Sequence, residues 1–281
     1  MTDAKTELPG FEARVAEVRG SRLRYLVAGE GEPLVLVHGL GGAAENWLLL
    51  APLLLDGRRV LVPELPGHGG SEPLPAAESL NAFADRIALV VEREAGPAAV
   101  VGHSLGGAIA LRMAIRRPEL VRALVLAGAA GISSGTRRAR YALTMTALLK
   151  PGRRIAPYRT AVAGSRMLKT LVFGRWGAAD PPALREEMAR AFLSGAARHT
   201  DTLSASRAVV LDDPRADLER VRCPTLLLWG ARDHQLPIDD AFDYARRLRA
   251  PLRAIADCGH LLIGERPEAC ADAIRSFLAI A

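Results

Sequence analysis

The stretch of residues 98–115 reads AAVVGHSLGGAIALRMAI and decides how the rest of the chain is interpreted. Its first four residues are small or β-branched and apolar, which is typical of a buried parallel strand. Residues 108–115 favour a helix, and Gly102-His103-Ser104-Leu105-Gly106 between the two matches the pattern G-x-S-x-G. A strand, a tight turn and a helix in this order predict that the Ser104 hydroxyl stands at a sharp elbow above a sheet, as a candidate nucleophile.

Apolar runs that alternate with amphipathic stretches continue on both sides of this elbow. Strands are predicted at residues 11–18, 22–28, 33–38, 60–63, 98–102, 121–127, 225–230 and 252–255. Helices are predicted at residues 80–94, 106–117, 239–248 and 267–280. The first two strands are joined by Arg19-Gly20-Ser21 and form a predicted hairpin. The alternation that follows predicts an α/β fold, with a mostly parallel central sheet flanked by helices on both faces.

Residues 131–211 interrupt that alternation, because they contain no convincing strand pattern. Three or four helices are predicted there, at residues 137–149, 161–173, 182–194 and 200–211. The segment holds 14 of the 37 Lys and Arg residues but four of the 31 Asp and Glu residues. We therefore predict one α/β core at residues 1–130 and 212–281, with a helical cap inserted at residues 131–211.

Two polar residues near the end of the chain are candidate partners for Ser104. A serine hydroxyl is a poor nucleophile without a base, and the base needs a group that orients it. Asp233 follows the predicted strand at residues 225–230 and His260 follows the last one, so both are expected at the carboxyl edge of the sheet, where sites of α/β proteins lie. The sequence predicts that Ser104, Asp233 and His260 are catalytic, with Asp213 as a weaker alternative for the acid.

Other histidines compete with His260 for the role of base, and each has a simpler interpretation. His103 is expected to pack beside the elbow, because the turn directs its side chain away from Ser104. His234 is expected to face away from the site, and His68 lies in a predicted turn. His199 belongs to the inserted segment and is expected to be exposed to solvent.

A second glycine-rich segment, His38-Gly39-Leu40-Gly41-Gly42, follows the predicted strand at residues 33–37. Consecutive glycines let a backbone approach a substrate closely, and the N–H groups of Leu40 and Leu105 are expected to form an oxyanion hole. His38 is expected to support this loop. A phosphate-binding loop is disfavoured, because the segment lacks Gly-Lys-Ser/Thr and a full G-x-G-x-x-G motif.

Further substrate contacts are predicted more loosely, from position and from the apolar composition of the cap. The candidates are Gly39, Gly41, His103, Met145, Leu148, Phe173 and Trp176. For each cap residue among them, packing between cap helices is the alternative. The basic balance of the cap would attract an anionic substrate or an acidic surface, with a solvated arginine-rich face as the alternative.

Five segments of the chain resemble the α/β-hydrolase superfamily, in its helical-cap branch of serine esterase-like enzymes. They are residues 38–42, 64–71, 102–107, 230–233 and 259–260. The resemblance implies an α/β-hydrolase fold and a Ser-His-Asp acyl-enzyme mechanism on carboxylic esters of small or medium acyl substrates, with no cofactor and no metal. It leaves open a carbon–carbon bond hydrolase, a lactonase, a cofactor-free perhydrolase and a ligand receptor. Leu261 disfavours the carbon–carbon hydrolase, because such relatives usually carry an aromatic residue shortly after the catalytic histidine.

The composition limits the partners and the compartment that we expect. No apolar run approaches the roughly 18–20 residues of a membrane span, and the polar N-terminus shows no secretory signal. Three cysteines make neither a disulfide framework nor a metal pattern. These features predict a cytoplasmic monomer or homodimer without stable membrane association. Aromatic residues make up 5% of the chain and no recognition motif is present, which disfavours nucleic acid as a partner.

Overall fold

One eight-stranded sheet forms the centre of the protein, whose computed structural model describes residues 8–75, 79–136, 141, 145, 149 and 151–281. The strands are β1 (Glu12–Val18), β2 (Ser21–Ala28), β3 (Glu32–Val37), β4 (Arg58–Pro63), β5 (Ala98–His103), β6 (Val121–Ala127), β7 (Thr225–Gly230) and β8 (Leu252–Ile255). They lie in the order β1-β2-β4-β3-β5-β6-β7-β8. Among these described strands, β2 alone runs in the direction opposite to the others, so the predicted mostly parallel sheet is confirmed.

Helices lie on both faces of this sheet and in the segment between β6 and β7. They are α1 (Leu80–Glu94), α2 (Leu105–Arg116), α3 (Pro151–Ile155), α4 (Arg159–Gly164), α5 (Arg166–Gly177), α6 (Glu186–Ser194), α7 (Leu203–Leu211), α8 (Ile238–Leu248), α9 (Leu262–Glu265) and α10 (Pro267–Leu278). None of these described helices has the length and apolar character needed to cross a bilayer.

The two layers of helices follow from the alternation of side chains along each strand. In β3, Val35 and Val37 join one core cluster, together with apolar residues of α1, α2 and α8. Leu34 and Leu36, which point the other way, join the second cluster with residues of α10. The core is therefore divided by the sheet into two apolar layers, and the predicted α/β fold is confirmed.

Between β6 and β7 the described residues form helices and turns but no strand. The helix predicted at residues 161–173 is divided into α4 and α5 at Ser165, whose hydroxyl caps α5 by accepting a hydrogen bond from the Leu168 N–H. The helix predicted at 182–194 begins only at Glu186, because two prolines before it form a separate 3-10 turn. Most of the helix predicted at 137–149 lies outside the described residues. The boundaries of the inserted cap stay a prediction.

Ser104 joins β5 to α2 in a backbone conformation (φ 55°, ψ −120°) that residues with a side chain rarely adopt. A residue in such a conformation costs the fold about 1–3 kcal/mol of stability. It persists only where the packing around it holds it in place. A Cβ added to Gly102 would lie 2.3 Å from the Gly106 oxygen, and one added to Gly106 would lie 2.2 Å from the Val37 oxygen. These two glycines therefore let β3, β5 and α2 approach closely enough to hold Ser104 in its strained conformation.

Replacing Gly106 by Ala is expected to lower the free energy of unfolding by about 1–3 kcal/mol, the usual cost of overpacking. The new Cβ would meet the carbonyl oxygens of Val37 and His38, and backbone atoms cannot rotate out of the way. Urea unfolding measures the change. Gly164→Ala in α4 is the matched control, because a Cβ there meets no described atom within 4 Å. Equal stability of the two variants would contradict this account of the elbow.

Candidate active site

Ser104, His260 and Asp233 lie in one hydrogen-bonded row at the carboxyl edge of the sheet. The elbow after β5 presents Ser104, the loop after β7 presents Asp233, and the loop after β8 presents His260. His260 Nε2 lies 3.0 Å from Ser104 Oγ, and His260 Nδ1 lies 2.8 Å from Asp233 Oδ2. All three residues are buried, and Ser104 is 8% exposed. The structure thus brings together the three residues that the sequence singles out.

The second oxygen of Asp233 fixes the direction of its carboxylate. Asp233 Oδ1 accepts hydrogen bonds from the N–H groups of Gln235 and Leu236, each at 2.8 Å. The remaining oxygen therefore faces His260 and accepts its Nδ1–H, which leaves Nε2 as a bare acceptor for the Ser104 proton. The alternative acid, Asp213, instead pairs with Arg215 at 2.7 Å and caps the turn that follows.

His103 supports the backbone of His260, and its place among the substrate-binding candidates stays a prediction. Its side chain is buried, and its Nε2–H donates to the His260 carbonyl oxygen at 2.8 Å. Burial, together with the nearby His260 ring, lowers the pKa of His103 to about 3, so the ring is neutral. This hydrogen bond fixes the end of the loop that carries the candidate base.

The loop of residues 39–42 packs directly on the elbow, since a Cβ added to Gly39 would lie 3.0 Å from Ser104 Cβ. The Gly39 carbonyl accepts hydrogen bonds from His38 Nδ1 at 2.8 Å and from the Gly42 N–H at 3.1 Å. Because the C=O and N–H of one peptide point in opposite directions, fixing this carbonyl also orients the Leu40 N–H.

His38 is held in the tautomer that this role requires. Its Nε2 accepts the Leu65 N–H at 3.0 Å, so Nδ1 carries the proton that it donates to Gly39. Burial lowers the pKa of His38 to about 3, which keeps the ring neutral. His38 therefore lies behind the loop as its support, as the sequence predicts.

Leu105 is the first residue of α2, so its N–H lies at the helix N-terminus and has no acceptor within the helix. No described residue accepts a hydrogen bond from the N–H of Leu40 or of Leu105. The oxyanion hole formed by these two amides stays a prediction, and the helix N-terminus at Leu105 favours negative charge.

The cap candidates for substrate contact have different outcomes. Phe173 is buried among cap residues such as Val162 and Met188, and its ring meets that of Phe192 edge-on at 6.3 Å. It therefore packs within the cap, which is the alternative that the sequence leaves open. Met145 is half-buried. Leu148 and the side chain of Trp176 lie outside what the structure describes.

The sequence misses a set of polar residues around the loop of residues 39–42. His199, expected in solvent, is partly buried and contacts backbone atoms of two core loops. Arg198 beside it forms ion pairs with the buried carboxylates of Glu45 and Glu64. Among the described residues, no three or more His, Cys, Asp or Glu side chains are arranged to hold a metal ion.

Known proteins are similar to this chain in sequence over most of its length. A family model described as the alpha/beta hydrolase family matches residues 34–273. The chain is 31% identical over 273 residues to a 2-hydroxymuconate semialdehyde hydrolase from Pseudomonas sp. (strain CF600), covering 92% of this chain and 91% of that protein. It is 35% identical over 259 residues to a pimeloyl-[acyl-carrier protein] methyl ester esterase from Aromatoleum aromaticum, covering 85% of this chain and 94% of that one.

A solved structure gives the same result for the fold. The enol-lactonase from Burkholderia xenovorans LB400 superimposes with a TM-score of 0.76 over 95% of this chain and 100% of that chain. The two sequences are 23% identical, so the likeness concerns the fold alone.

Proposed function

The chain belongs to the alpha/beta hydrolase family, and on that premise we propose that it is a serine hydrolase that cleaves carboxylic esters of small or medium acyl substrates. Ser104 is the proposed nucleophile, His260 the general base and Asp233 the residue that orients it. The observation that carries the proposal is the row of hydrogen bonds in which His260 Nε2 lies 3.0 Å from Ser104 Oγ while Nδ1 is held by Asp233. The relative named as a methyl ester esterase supports an ester as the substrate.

The proposed reaction has two steps of acyl transfer. His260 Nε2 takes the Ser104 proton as Oγ attacks the ester carbonyl, and Asp233 stabilises the imidazolium. The N–H groups of Leu40 and Leu105 donate to the oxyanion of the tetrahedral intermediate. His260 then gives its proton to the departing alkoxide, leaving an acyl-enzyme on Ser104. Water repeats the sequence, so that the acid is released and the serine hydroxyl is restored.

Hydrolysis of a carbon–carbon bond is the second candidate, because the same three residues can serve it. The relative named as a 2-hydroxymuconate semialdehyde hydrolase favours it. Leu261, directly after His260, argues for the ester: it packs against the apolar cluster of the cap and presents no aromatic ring at that position.

The proposal includes a cellular compartment and a class of substrate. Cys223, Cys258 and Cys270 are free thiols, and free thiols are typical of a reducing compartment. We therefore place the protein in the cytoplasm, acting on small-molecule esters.

A pre-steady-state measurement with p-nitrophenyl esters of increasing acyl length tests the proposal. We expect a burst of p-nitrophenol close to one equivalent of enzyme, with the acyl group found on the Ser104 peptide by mass spectrometry. The chain-length optimum then gives the size of the acyl pocket. If no ester reacts but 2-hydroxymuconate semialdehyde is cleaved, the second candidate replaces the first. If neither reacts and no adduct forms, the ligand-receptor alternative does.

A further inference from the structure

A short segment of the cap is tied to the loop that carries the Leu40 amide. We call residues 198–201 the cap strap. The Nε2–H of His199 donates to the Gly41 carbonyl oxygen at 2.7 Å, and its Nδ1 accepts the Gly69 N–H at 3.1 Å. One imidazole therefore bridges two core loops, residues 39–42 and 66–70, from the side of the cap.

Backbone contacts seat the strap closely on the second of these loops. The N–H groups of Thr200 and Asp201 donate to the Gly67 carbonyl at 2.9 and 3.1 Å. Gly67 has a positive φ of 76°, and a Cβ there would lie 2.2 Å from the Asp201 oxygen. The backbone of the cap strap therefore approaches Gly67 so closely that only glycine fits at this position.

Ion pairs fix the other end of the strap. The Arg198 guanidinium lies 2.5 Å from Glu45 and 3.6 Å from Glu64, whose side chains are 4% and 0% exposed. Glu64 also accepts N–H groups of Ala44 at 3.3 Å and Gly70 at 2.7 Å. Charges buried to this extent need a partner, so Arg198 is bound firmly to the core.

These contacts bear on the Leu40 amide because glycines flank it on both sides. His38 holds the Gly39 carbonyl before Leu40, and His199 holds the Gly41 carbonyl after it. Glycine populates a wide range of backbone angles, and Gly41 is already at a φ of 68°. The Gly41 carbonyl shares its peptide with the Gly42 N–H, which donates to the Gly39 carbonyl at 3.1 Å. The Gly39 carbonyl shares its peptide with the Leu40 N–H, so the contact from His199 reaches that N–H through the Gly42 hydrogen bond.

We propose that His199 is a positioning residue, which holds the Leu40 N–H toward the oxyanion by fixing the Gly41 carbonyl, so that the cap completes the oxyanion hole of the core. The inference rests on the proposed function. It assigns no contact between His199 and the substrate.

The imidazole can play this role only when neutral, since one nitrogen donates and the other accepts. Burial lowers the pKa of His199; the Gly41 carbonyl and Glu64 oppose this shift, and Arg198 adds to it. The His68 ring lies 5.1 Å away, and burial keeps its pKa well below the usual range as well. The surroundings therefore keep both nitrogens of His199 in the states that the two loops require.

Two amide substitutions separate the two hydrogen bonds. The amide of Gln reaches the position of Nε2, so His199→Gln keeps a donor for Gly41 and loses the acceptor for Gly69. The shorter Asn reaches the position of Nδ1, so His199→Asn keeps the acceptor for Gly69 and loses the donor for Gly41. Arg207→Gln, at an exposed position of α7, is the control within the cap.

The readouts are the rate at which a fluorophosphonate labels Ser104 and the kcat and KM for p-nitrophenyl acetate. The phosphonyl oxygen must occupy the oxyanion hole during labelling. For His199→Asn we expect both the labelling rate and kcat to fall by roughly tenfold, as for one lost hydrogen bond, with KM little changed. For His199→Gln and Arg207→Gln we expect values close to wild type. Thermal unfolding of each variant shows that it is folded at the assay temperature.

Other results would overturn the inference. Equal losses in the Gln and Asn variants, or an unchanged Asn variant, would show that the Gly41 contact does not position the amide. A rise in KM without a fall in kcat would assign His199 to substrate binding instead. If wild type itself is not labelled at Ser104, the proposed function fails, and the inference fails with it for that separate reason.

Discussion

Replacing Ser104 by Ala is expected to reduce kcat for ester hydrolysis by about a millionfold, the loss typical of a triad without its nucleophile. No acyl-enzyme can form, because alanine has no hydroxyl oxygen to attack the ester carbonyl, and His260 Nε2 loses the partner that it contacts in the wild type. The amides of Leu40 and Leu105 stay in place, so a small residual rate over water remains. Hydrolysis of p-nitrophenyl acetate by enzyme made free of host esterases measures the change. A variant that keeps more than a few per cent of the activity would assign the nucleophile to another residue.

Ser104→Gly is the matched control for this substitution. It removes the same hydroxyl, but glycine accepts a φ of 55° and a ψ of −120° without the cost that Ala shares with Ser. We expect Ser104→Gly to be as inactive as Ser104→Ala and more stable by about 1–2 kcal/mol in urea unfolding. Equal stability of the two variants would show that the elbow stores no strain at this residue.

Replacing Asp233 by Asn is expected to lower kcat by about four orders of magnitude. The two N–H groups of Gln235 and Leu236 keep the amide oxygen at the place of Oδ1. The NH2 group must then face His260 Nδ1 and can only donate, so the ring proton moves to Nε2 and faces Ser104. The base is thereby held in the tautomer that cannot take the serine proton.

Asp257→Asn is the control for the Asp233 variant. Asp257 lies three residues before His260 but is exposed and pairs with Arg232 at 2.7 Å. Surface ion pairs contribute little, so we expect kcat within about twofold of wild type. If the two Asn variants lose activity equally, Asp233 does not have the orienting role proposed for it. The kcat of both variants is measured on one p-nitrophenyl ester at one pH.

The parts of the site that the sequence predicts are those determined by local structure. The elbow at Ser104 follows from a strand and a helix that are adjacent in the chain, and the loops with Asp233 and His260 follow strands directly. Parallel strands bring their carboxyl ends to one edge, so the three residues can be expected together. The same holds for the hydrogen bond from His38 to Gly39, its neighbour in the chain, although the tautomer of His38 is fixed by the more distant Leu65.

The parts that the sequence misses depend on contacts between distant residues. His199 bonds to Gly69 and Gly41, which lie 130 and 158 residues away in the chain. His103 bonds to the carbonyl of His260, 157 residues away. No periodicity or motif encodes such partners, because the two members of each pair lie on separate elements that only the folded chain brings together. The role of an apolar cap residue such as Phe173 is ambiguous in the sequence for a similar reason. Packing between cap helices and lining of a substrate pocket both require an apolar side chain.

The cap strap sets a condition for any chimera in which the cap of a relative replaces this one. A graft that exchanges residues 131–211 alone would remove Arg198 and leave Glu45 and Glu64 in the recipient core with one fewer cation. A buried carboxylate that loses its partner is strongly destabilising. The same graft would place an unmatched loop above Gly41 and Gly69. A chimera meant to acquire the substrate range of a relative must therefore take the loops of residues 39–42 and 66–70 from the same relative as the cap.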